Sequence, residues 1–249
     1  MSNKPTKKSD ADKKWMRERR GPHRIIKPEC HLVVSEGEKT EPLYFEAFAS
    51  AVNRRFAGQG RHAADRIRFK VRGVGDNTLA VFEEAKRLAS EWAREAGTPP
   101  AHVWVVYDKD DYADERFDEV ARLCGSESDA DTEYHALWSN QCIELWFLLH
   151  FEYLQSDIER ARYCEKLDAH IRDRGLGNGY RKNKPDTFEM VFPFRENAMR
   201  NARRLMEMHG NAFPSRCAPG TPGVRAVRKT GLVLQGVGGR PAGTTTTAA

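Results

Sequence analysis

Short apolar runs alternate with longer amphipathic stretches through the first 150 residues of the chain. Four of the runs are rich in β-branched and aromatic residues and predict strands: 30–35, 67–71, 102–107 and 133–138. The stretches between them carry apolar residues at helical spacing and predict helices: one that opens at Thr40-Glu41-Pro42, one over 78–95 and one over 114–123. This β-α-β-α-β order predicts an α/β fold in which helices flank a parallel sheet.

The pattern changes near residue 155, beyond which only helices are predicted. An apolar helix is predicted from Asn140, before this point. The elements beyond it are a charged helix over 157–173, a polar loop over 174–186 and a helical region over 187–208. We therefore expect an α/β catalytic domain over 25–155 and a C-terminal helical subdomain over 156–215. Residues 1–24 have little apolar content and residues 216–249 are rich in Pro, Gly and Thr, so both are predicted to be disordered.

Charge is distributed unevenly along the 249 residues. The net charge is +5, but residues 1–28 carry +7, residues 216–249 carry +5, and the part between them carries −7. Basic tails contact nucleic acid in some proteins and only increase solubility in others, and the sequence leaves both open. No apolar run approaches the roughly 20 residues of a membrane span.

The five cysteines are widely spaced, with no Cys-x-x-Cys pair. They therefore suggest neither a cysteine zinc site nor a disulfide framework. A chain with this pattern is expected in a reducing, cytoplasmic environment.

Acidic residues follow two of the predicted strands at the point where each strand ends. Glu36 follows the first strand, and Asp108 and Asp110 follow the third. Because ligands of open α/β sheets bind at the carboxyl ends of the strands, we expect these three carboxylates to converge. Oxygen ligands favour Mg²⁺ or Mn²⁺ over zinc, so the sequence predicts a metal centre of the kind used on phosphate esters.

Other polar residues near these strand ends are weaker candidates. Lys39 is suited to hold a scissile phosphate or to stabilise an oxyanion, although a solvated loop lysine is equally ordinary. Glu144 lies in an apolar helix, where it predicts either another metal ligand or a salt bridge. His150 is either a general acid or base or a hydrogen-bonded structural histidine. Glu41 is expected to serve the helix N-terminus, and Asp111 either adds charge to the site or caps the next helix.

Two basic segments are candidates for contact with nucleic acid. Tyr180, Arg181, Lys182 and Lys184 combine an aromatic ring with positive charge, which suits single-stranded RNA, or else they form a flexible linker. Basic residues at period two along the second strand favour, slightly, a solvated face. The Gly73-Val74-Gly75 turn lacks the spacing of a dinucleotide-binding or Walker motif, so nucleotide binding is not expected.

Two strings together resemble the RloB family, a Toprim-like group from bacterial defence and restriction–modification loci. They are Glu36-Gly37-Glu38-Lys39-Thr40-Glu41-Pro42 and the Ser-Asn-x-x-x-Glu-x-Trp-x-x-x-His string over 139–150. The resemblance covers about residues 25–210 and implies a Toprim-like fold, with Glu36, Asp108 and Asp110 at the positions of the Toprim acids. It implies a Mg²⁺-dependent nuclease in antiviral defence, which acts on RNA such as tRNA or on DNA, and an AAA-type ATPase partner.

The resemblance fails near the end of the chain. RloB-like chains usually close with an Asn-Pro-x-Thr turn and an amphipathic helix, whereas Ala218-Pro219-Gly220-Thr221 has Ala in place of Asn, and the residues that follow have the composition of a shifted reading frame. A non-catalytic subunit that binds nucleic acid or an ATPase remains the alternative function. A primase or topoisomerase is not favoured, because neither a zinc-binding primase module nor a nucleophilic tyrosine domain is evident.

Overall fold

The computed structural model describes residues 29–57, 67–75, 77–210 and 212–222. The predicted disordered arm over 1–24 and the tail beyond residue 222 lie outside the described residues. The predicted domain boundary near 155 remains a prediction. Across the described residues, no helix is both long enough and apolar enough to cross a membrane.

A four-stranded, all-parallel sheet forms the centre of the described chain, with the strand order β2-β1-β3-β4. Its strands are β1 (Glu29–Ser35), β2 (Ile67–Gly73), β3 (His102–Asp108) and β4 (Glu133–Ser139). The helices are α1 (Thr40–Ala57), α2 (Thr78–Ala96), α3 (Asp114–Glu127), α4 (Glu144–Leu148), α5 (Arg160–Asp173), α6 (Thr187–Val191) and α7 (Arg195–His209). The prediction of an α/β fold is confirmed, and each predicted strand lies within two residues of the observed one.

Both faces of the sheet are covered by helices, which explains why the two central strands are continuous apolar runs. Leu32, Val34 and Val105 face a core shared with α2 and α3. Val33 and Val106 face a second core, shared with α1 and with the helices that follow residue 143. Consecutive residues of a strand point to opposite faces, so the central strands are buried on both.

Helix α2 illustrates how local sequence sets the ends of an element. The Asn77 side chain accepts a hydrogen bond from the Ala80 N–H at 3.3 Å and caps the first turn. Gly97 adopts a left-handed conformation, with φ 72°, and ends the helix. The apolar face between these caps, which includes Val81, Phe82 and Leu88, is buried against the sheet.

The predicted helices after residue 139 are shorter than expected. The helix expected from Asn140 is confined to the five residues of α4, because Asn140 instead pairs with Gly220 in a β-bridge. The helical region over 187–208 is divided into α6 and α7 by a 3₁₀ turn that contains Pro193. A proline inside a helix removes a backbone hydrogen bond and clashes with the preceding turn, so a break at this residue follows from the sequence.

The segment over 214–222 packs against the end of β4. The Asn140 N–H donates to the Gly220 carbonyl at 2.9 Å, and the Gly220 N–H donates back at 3.3 Å. Ser215 donates through its backbone N–H and its hydroxyl to the Asp118 carboxylate, and Thr221 is buried. The predicted tail begins at 216, and its first residues include Gly220, which pairs with Asn140; the extent of the tail stays a prediction.

Candidate functional site

Glu36 and Asp108 meet at the carboxyl edge of the sheet, as the strand pattern predicts. Asp108 is the last residue of β3, and Glu36 directly follows the neighbouring strand β1. The Glu36 Oε2 atom accepts a hydrogen bond from the Asp108 N–H at 3.2 Å. Burial raises the pKa of Glu36 to about 7, although this hydrogen bond favours the charged form.

The Asp108 carboxylate is buried and only partly satisfied. Its Oδ2 atom accepts the Ile143 N–H at 3.1 Å, whereas its Oδ1 atom has no hydrogen-bond partner among the described residues. Burial raises the pKa of Asp108 well above its ordinary value, and the nearby carboxylates of Glu41, Asp110 and Glu144 raise it further. A cation beside Asp108 would therefore stabilise its ionised form.

Asp110 reaches the same region through a turn with a left-handed backbone, φ 40°. Its N–H donates to the Gln141 carbonyl at 3.2 Å, and its carboxylate forms an ion pair with Arg160 of α5. Lys109, between the two aspartates, bonds instead to the Tyr112 carbonyl and to Asp114. The Asp-x-Asp spacing thus directs two acids to the site and the intervening lysine to the start of α3.

Glu41 is a member of the site that the sequence interpretation assigned only to the helix terminus. It is 9% exposed, and its carboxylate lies so close to Gly37 that a Cβ atom there would be 2.0 Å from Glu41 Oε2. Burial raises its pKa, and the charge of Glu144 contributes in the same direction. Gly37, just before the helix, was the feature of the sequence that could have indicated this position, because only a residue without a side chain leaves room there for the Glu41 carboxylate.

Glu144 lies 1% exposed at the start of α4 and has cationic and hydroxyl partners on one oxygen. Its Oε1 atom accepts hydrogen bonds from the Tyr180 hydroxyl at 3.0 Å and from Lys182 Nζ at 3.1 Å. Its Oε2 atom has no hydrogen-bond partner among the described residues. Burial opposes ionisation of Glu144, but Lys182 and the hydrogen bonds outweigh it and hold its pKa below the ordinary value.

Glu41, Asp108 and Glu144 line a cavity of about 210 Å³. Its walls include four acids and three cations: Glu38, Glu41, Asp108, Glu144, Lys39, Arg160 and Lys182. The loop before α6 closes one side, since the Asn183 N–H donates to Thr40 Oγ1 at 3.2 Å and the Thr40 hydroxyl donates back to Asn183 Oδ1 at 2.9 Å. Lys39 is exposed at the mouth of the cavity.

His150 is not brought to this cavity. It is fully buried, its Nδ1 atom bonds to the Trp146 carbonyl at 2.9 Å, and its ring contacts the Trp146 ring. Burial lowers its pKa to about 4, so it is neutral at physiological pH. Its Nε2 atom is buried and has no hydrogen-bond partner among the described residues. The position favours a structural histidine over a catalytic acid or base, because the ring does not line the cavity.

The basic segment over 180–184 contacts the site differently from the prediction. Tyr180 is buried, with its hydroxyl on Glu144, so its ring is not available to stack on a base. Lys182 pairs with the same carboxylate, whereas Arg181 and Lys184 are exposed. The aromatic residue was misassigned because its burial depends on the packing of the helical layer, which the local sequence does not reveal.

The donor set fits a hard divalent cation. All the acids offer oxygen, and Asp108 Oδ1 and Glu144 Oε2 lack a hydrogen-bond partner among the described residues. Three of the acids have raised pKa values that a nearby cation would lower. Mg²⁺ and Mn²⁺ prefer such ligands.

Comparison with known proteins gives one family. The family model described as RloB-like protein matches residues 31–227. No curated protein and no solved structure matches the chain.

Proposed function

Because the chain belongs to the RloB-like family, we propose that it is a metal-dependent nuclease that cleaves phosphodiester bonds of RNA, or in second place DNA. The observation that carries this proposal is the convergence of five carboxylates at one sheet edge, those of Glu36, Glu41, Asp108, Asp110 and Glu144. Acids with raised pKa values and unbonded buried oxygens, grouped around a cavity, are typical of functional rather than structural clusters.

In this proposal Glu36, Asp108 and Asp110 hold one or two Mg²⁺ or Mn²⁺ ions. The ion, when bound, polarises the phosphate and lowers the pKa of the attacking water. Asp108 Oδ1 is the best-placed donor, because its second oxygen is already fixed by the Ile143 N–H. Glu41 adds a further oxygen from the first turn of α1.

The cationic side chains around the cavity are the proposed contacts for the phosphates of the substrate. Arg160 pairs with Asp110, and 44% of the Arg160 side chain is exposed. Lys182 pairs with Glu144, and 43% of the Lys182 side chain is exposed. In this proposal the exposed parts of Arg160 and Lys182 would contact the phosphate backbone beside the carboxylates. Lys39, exposed at the cavity mouth, binds the next phosphate along the strand.

The loop beside the cavity carries positive charges that can contact phosphates, but these charges do not recognise bases. Arg181 and Lys184 are exposed on the loop that closes the cavity. Contacts of this kind bind phosphates and do not distinguish RNA from DNA. RNA, such as a structured tRNA loop, stays the first substrate on the family resemblance alone. The Toprim-like relationship, the role in antiviral defence and the AAA-type ATPase partner rest on the same resemblance, and the proposed cytoplasmic location rests on the spacing of the cysteines.

The test is cleavage of labelled tRNA, single-stranded RNA and duplex DNA by purified protein, with and without Mg²⁺. We expect cleavage that EDTA abolishes and that Asp110→Asn reduces at least 100-fold. Asp111→Asn is the matched control, because Asp111 is the exposed next residue of the same loop, and it should keep wild-type activity.

Two results would contradict the proposal. If the Asp110 and Asp111 variants lose cleavage equally, the loss is not specific to the carboxylate cluster, and the cluster does not take part in catalysis. Binding of RNA with no Mg²⁺-dependent cleavage, alone or with an AAA-type ATPase partner, would favour the non-catalytic subunit.

A further inference from the structure

A second group of potential metal ligands lies at the amino ends of the strands, opposite the carboxylate cluster. Glu29 and His31 begin β1, His102 begins β3, and Glu133 and His135 begin β4. In the sheet register, His31 lies beside His102 and His102 beside Glu133. Because strand residues alternate between faces, these five side chains share one face.

Three of these residues offer ligand atoms at metal-binding separations. His102 Nδ1 lies 3.1 Å from His135 Nε2, and Glu133 Oε2 lies 3.7 Å from His102 Nδ1. One ligand atom from each of His102, Glu133 and His135 lies within 4.8 Å of the others. Two imidazole nitrogens on a tetrahedral zinc ion are about 3.3 Å apart, since each Zn–N bond is about 2.0–2.1 Å.

The surrounding residues fix the two imidazole rings. Glu29 Oε1 lies 2.9 Å from His102 Nε2, so this carboxylate accepts the Nε2–H and leaves the Nδ1 lone pair directed at His135. A carboxylate on the outer nitrogen is the usual partner of a metal-binding histidine. The His135 ring stacks on Trp104 with centroids 4.0 Å apart, and the Trp104 Nε1–H donates to His31 at 3.1 Å.

We propose that His102 Nδ1, His135 Nε2 and the Glu133 carboxylate bind one divalent transition-metal ion, with Zn²⁺ the best match, and that Glu29 positions His102. Imidazole with carboxylate selects Zn²⁺ over Mg²⁺, in contrast to the oxygen-only cluster at the other edge. Glu133 is 47% exposed, so it can rotate toward the ion, and solvent has access to the fourth position.

The site is separate from the proposed nuclease centre. His102 and Asp108 are the first and last residues of β3, and six steps of about 3.3 Å along a strand place them about 20 Å apart. An ion here joins β3 to β4 directly and β1 through Glu29. Its role is therefore to hold the amino ends of three strands together, and the proposal does not depend on the nuclease activity.

The experiment measures Zn²⁺ affinity of full-length protein that carries no polyhistidine tag, after removal of metal by EDTA, in competition with a chromophoric chelator. We expect one tight site, with affinity lowered at least 100-fold by His135→Gln and by His102→Gln. Glu29→Gln should lower it by about 10- to 100-fold, the usual effect of losing the outer carboxylate. Asp110→Asn, at the opposite edge, should leave it unchanged.

Co²⁺ provides a second measurement that reports the ligand geometry. We expect the intense visible absorption of a tetrahedral Co²⁺ ion in the wild type and its absence in Glu133→Gln. Glu133 is 47% exposed, so the substitution leaves the packing of the core unchanged. Circular dichroism of each metal-free variant checks the fold. Wild-type Zn²⁺ affinity in the His135→Gln and Glu133→Gln variants, or a weak octahedral Co²⁺ spectrum in the wild type, would overturn the proposal and leave a hydrogen-bonded His–Glu cluster.

Discussion

Glu36→Gln should stabilise the protein at pH 8 while it removes the proposed nuclease activity. The pKa of Glu36 is raised from 4.5 to about 7 in the folded chain. Because the folded-state pKa lies above the unfolded value, the protonated Glu36 side chain makes its full contribution to stability below pH 4.5. This contribution is lost as the pH rises to 7. The loss corresponds to about 3.4 kcal/mol at 1.36 kcal/mol per pKa unit, and access of water to the carboxylate reduces it to about 2 kcal/mol.

The substitution keeps the acceptor for the Asp108 N–H, so the gain reports the removed charge. Urea unfolding at pH 4 and pH 8 measures it: we expect little difference between variant and wild type at pH 4 and about 2 kcal/mol in favour of the variant at pH 8. Mg²⁺ should then stabilise the wild type more than the variant, since a bound cation compensates the acids.

Glu152→Gln is the matched control. Glu152 is also partly buried, but it pairs with Lys166 at 2.8 Å and His170 at 2.9 Å, and its pKa is lowered. The same substitution there should destabilise the protein at pH 8. If Glu36→Gln destabilises the protein at pH 8 as Glu152→Gln does, the Glu36 carboxylate is a structural group and the reasoning from burial and like charge is refuted.

Three further changes test other parts of the structure. Gly37→Ala places a Cβ atom 2.0 Å from Glu41 Oε2, so Mg²⁺-dependent cleavage should fall by about 100-fold, and unchanged kinetics would remove Glu41 from the site. Lys182→Met leaves the buried Glu144 carboxylate without its cation and should lower the free energy of unfolding by about 1–2 kcal/mol. Adding Glu144→Gln to this variant should restore part of the stability, as measured by urea titration. His150 has a pKa of about 4 in the folded chain and an ordinary value of 6.5, so the free energy of unfolding should fall as the pH drops from 6.5 to 4. The His150→Leu variant should take up about one proton fewer than the wild type on unfolding at pH 5. If the pH dependence is the same in both, His150 is charged in the folded chain.

The acids at the strand ends could be predicted from the sequence because parallel strands fix where their carboxyl ends lie. Glu36 and Asp108 belong to adjacent strands, so strand recognition alone brings them together. Arg160 and Glu41 could not be placed in the same way. Each reaches the site from a helix, and the packing of a helix depends on distant contacts that no local pattern contains.

The same limit explains the misassigned residues. Tyr180 and His150 have the residue types of functional groups, and only the assembled helical layer shows that both are buried. The histidines at the amino ends of β3 and β4 left only a weak signal, a polar residue at the first position of each of two predicted strands, His102 and Glu133. Their proximity depends on strand order, which places β3 beside β4.

The pairing of Asn140 with Gly220 also bears on the order of events during synthesis of the chain. Domains generally fold from the N-terminus as they leave the ribosome, so the four strands are complete before Gly220 is made. Asn140 is followed by Gln141, whose carbonyl accepts the Asp110 N–H. We therefore expect the Asp110 turn to reach its final geometry only when the last described residues dock, and a nascent chain that stops before them to have its sheet but not its finished site.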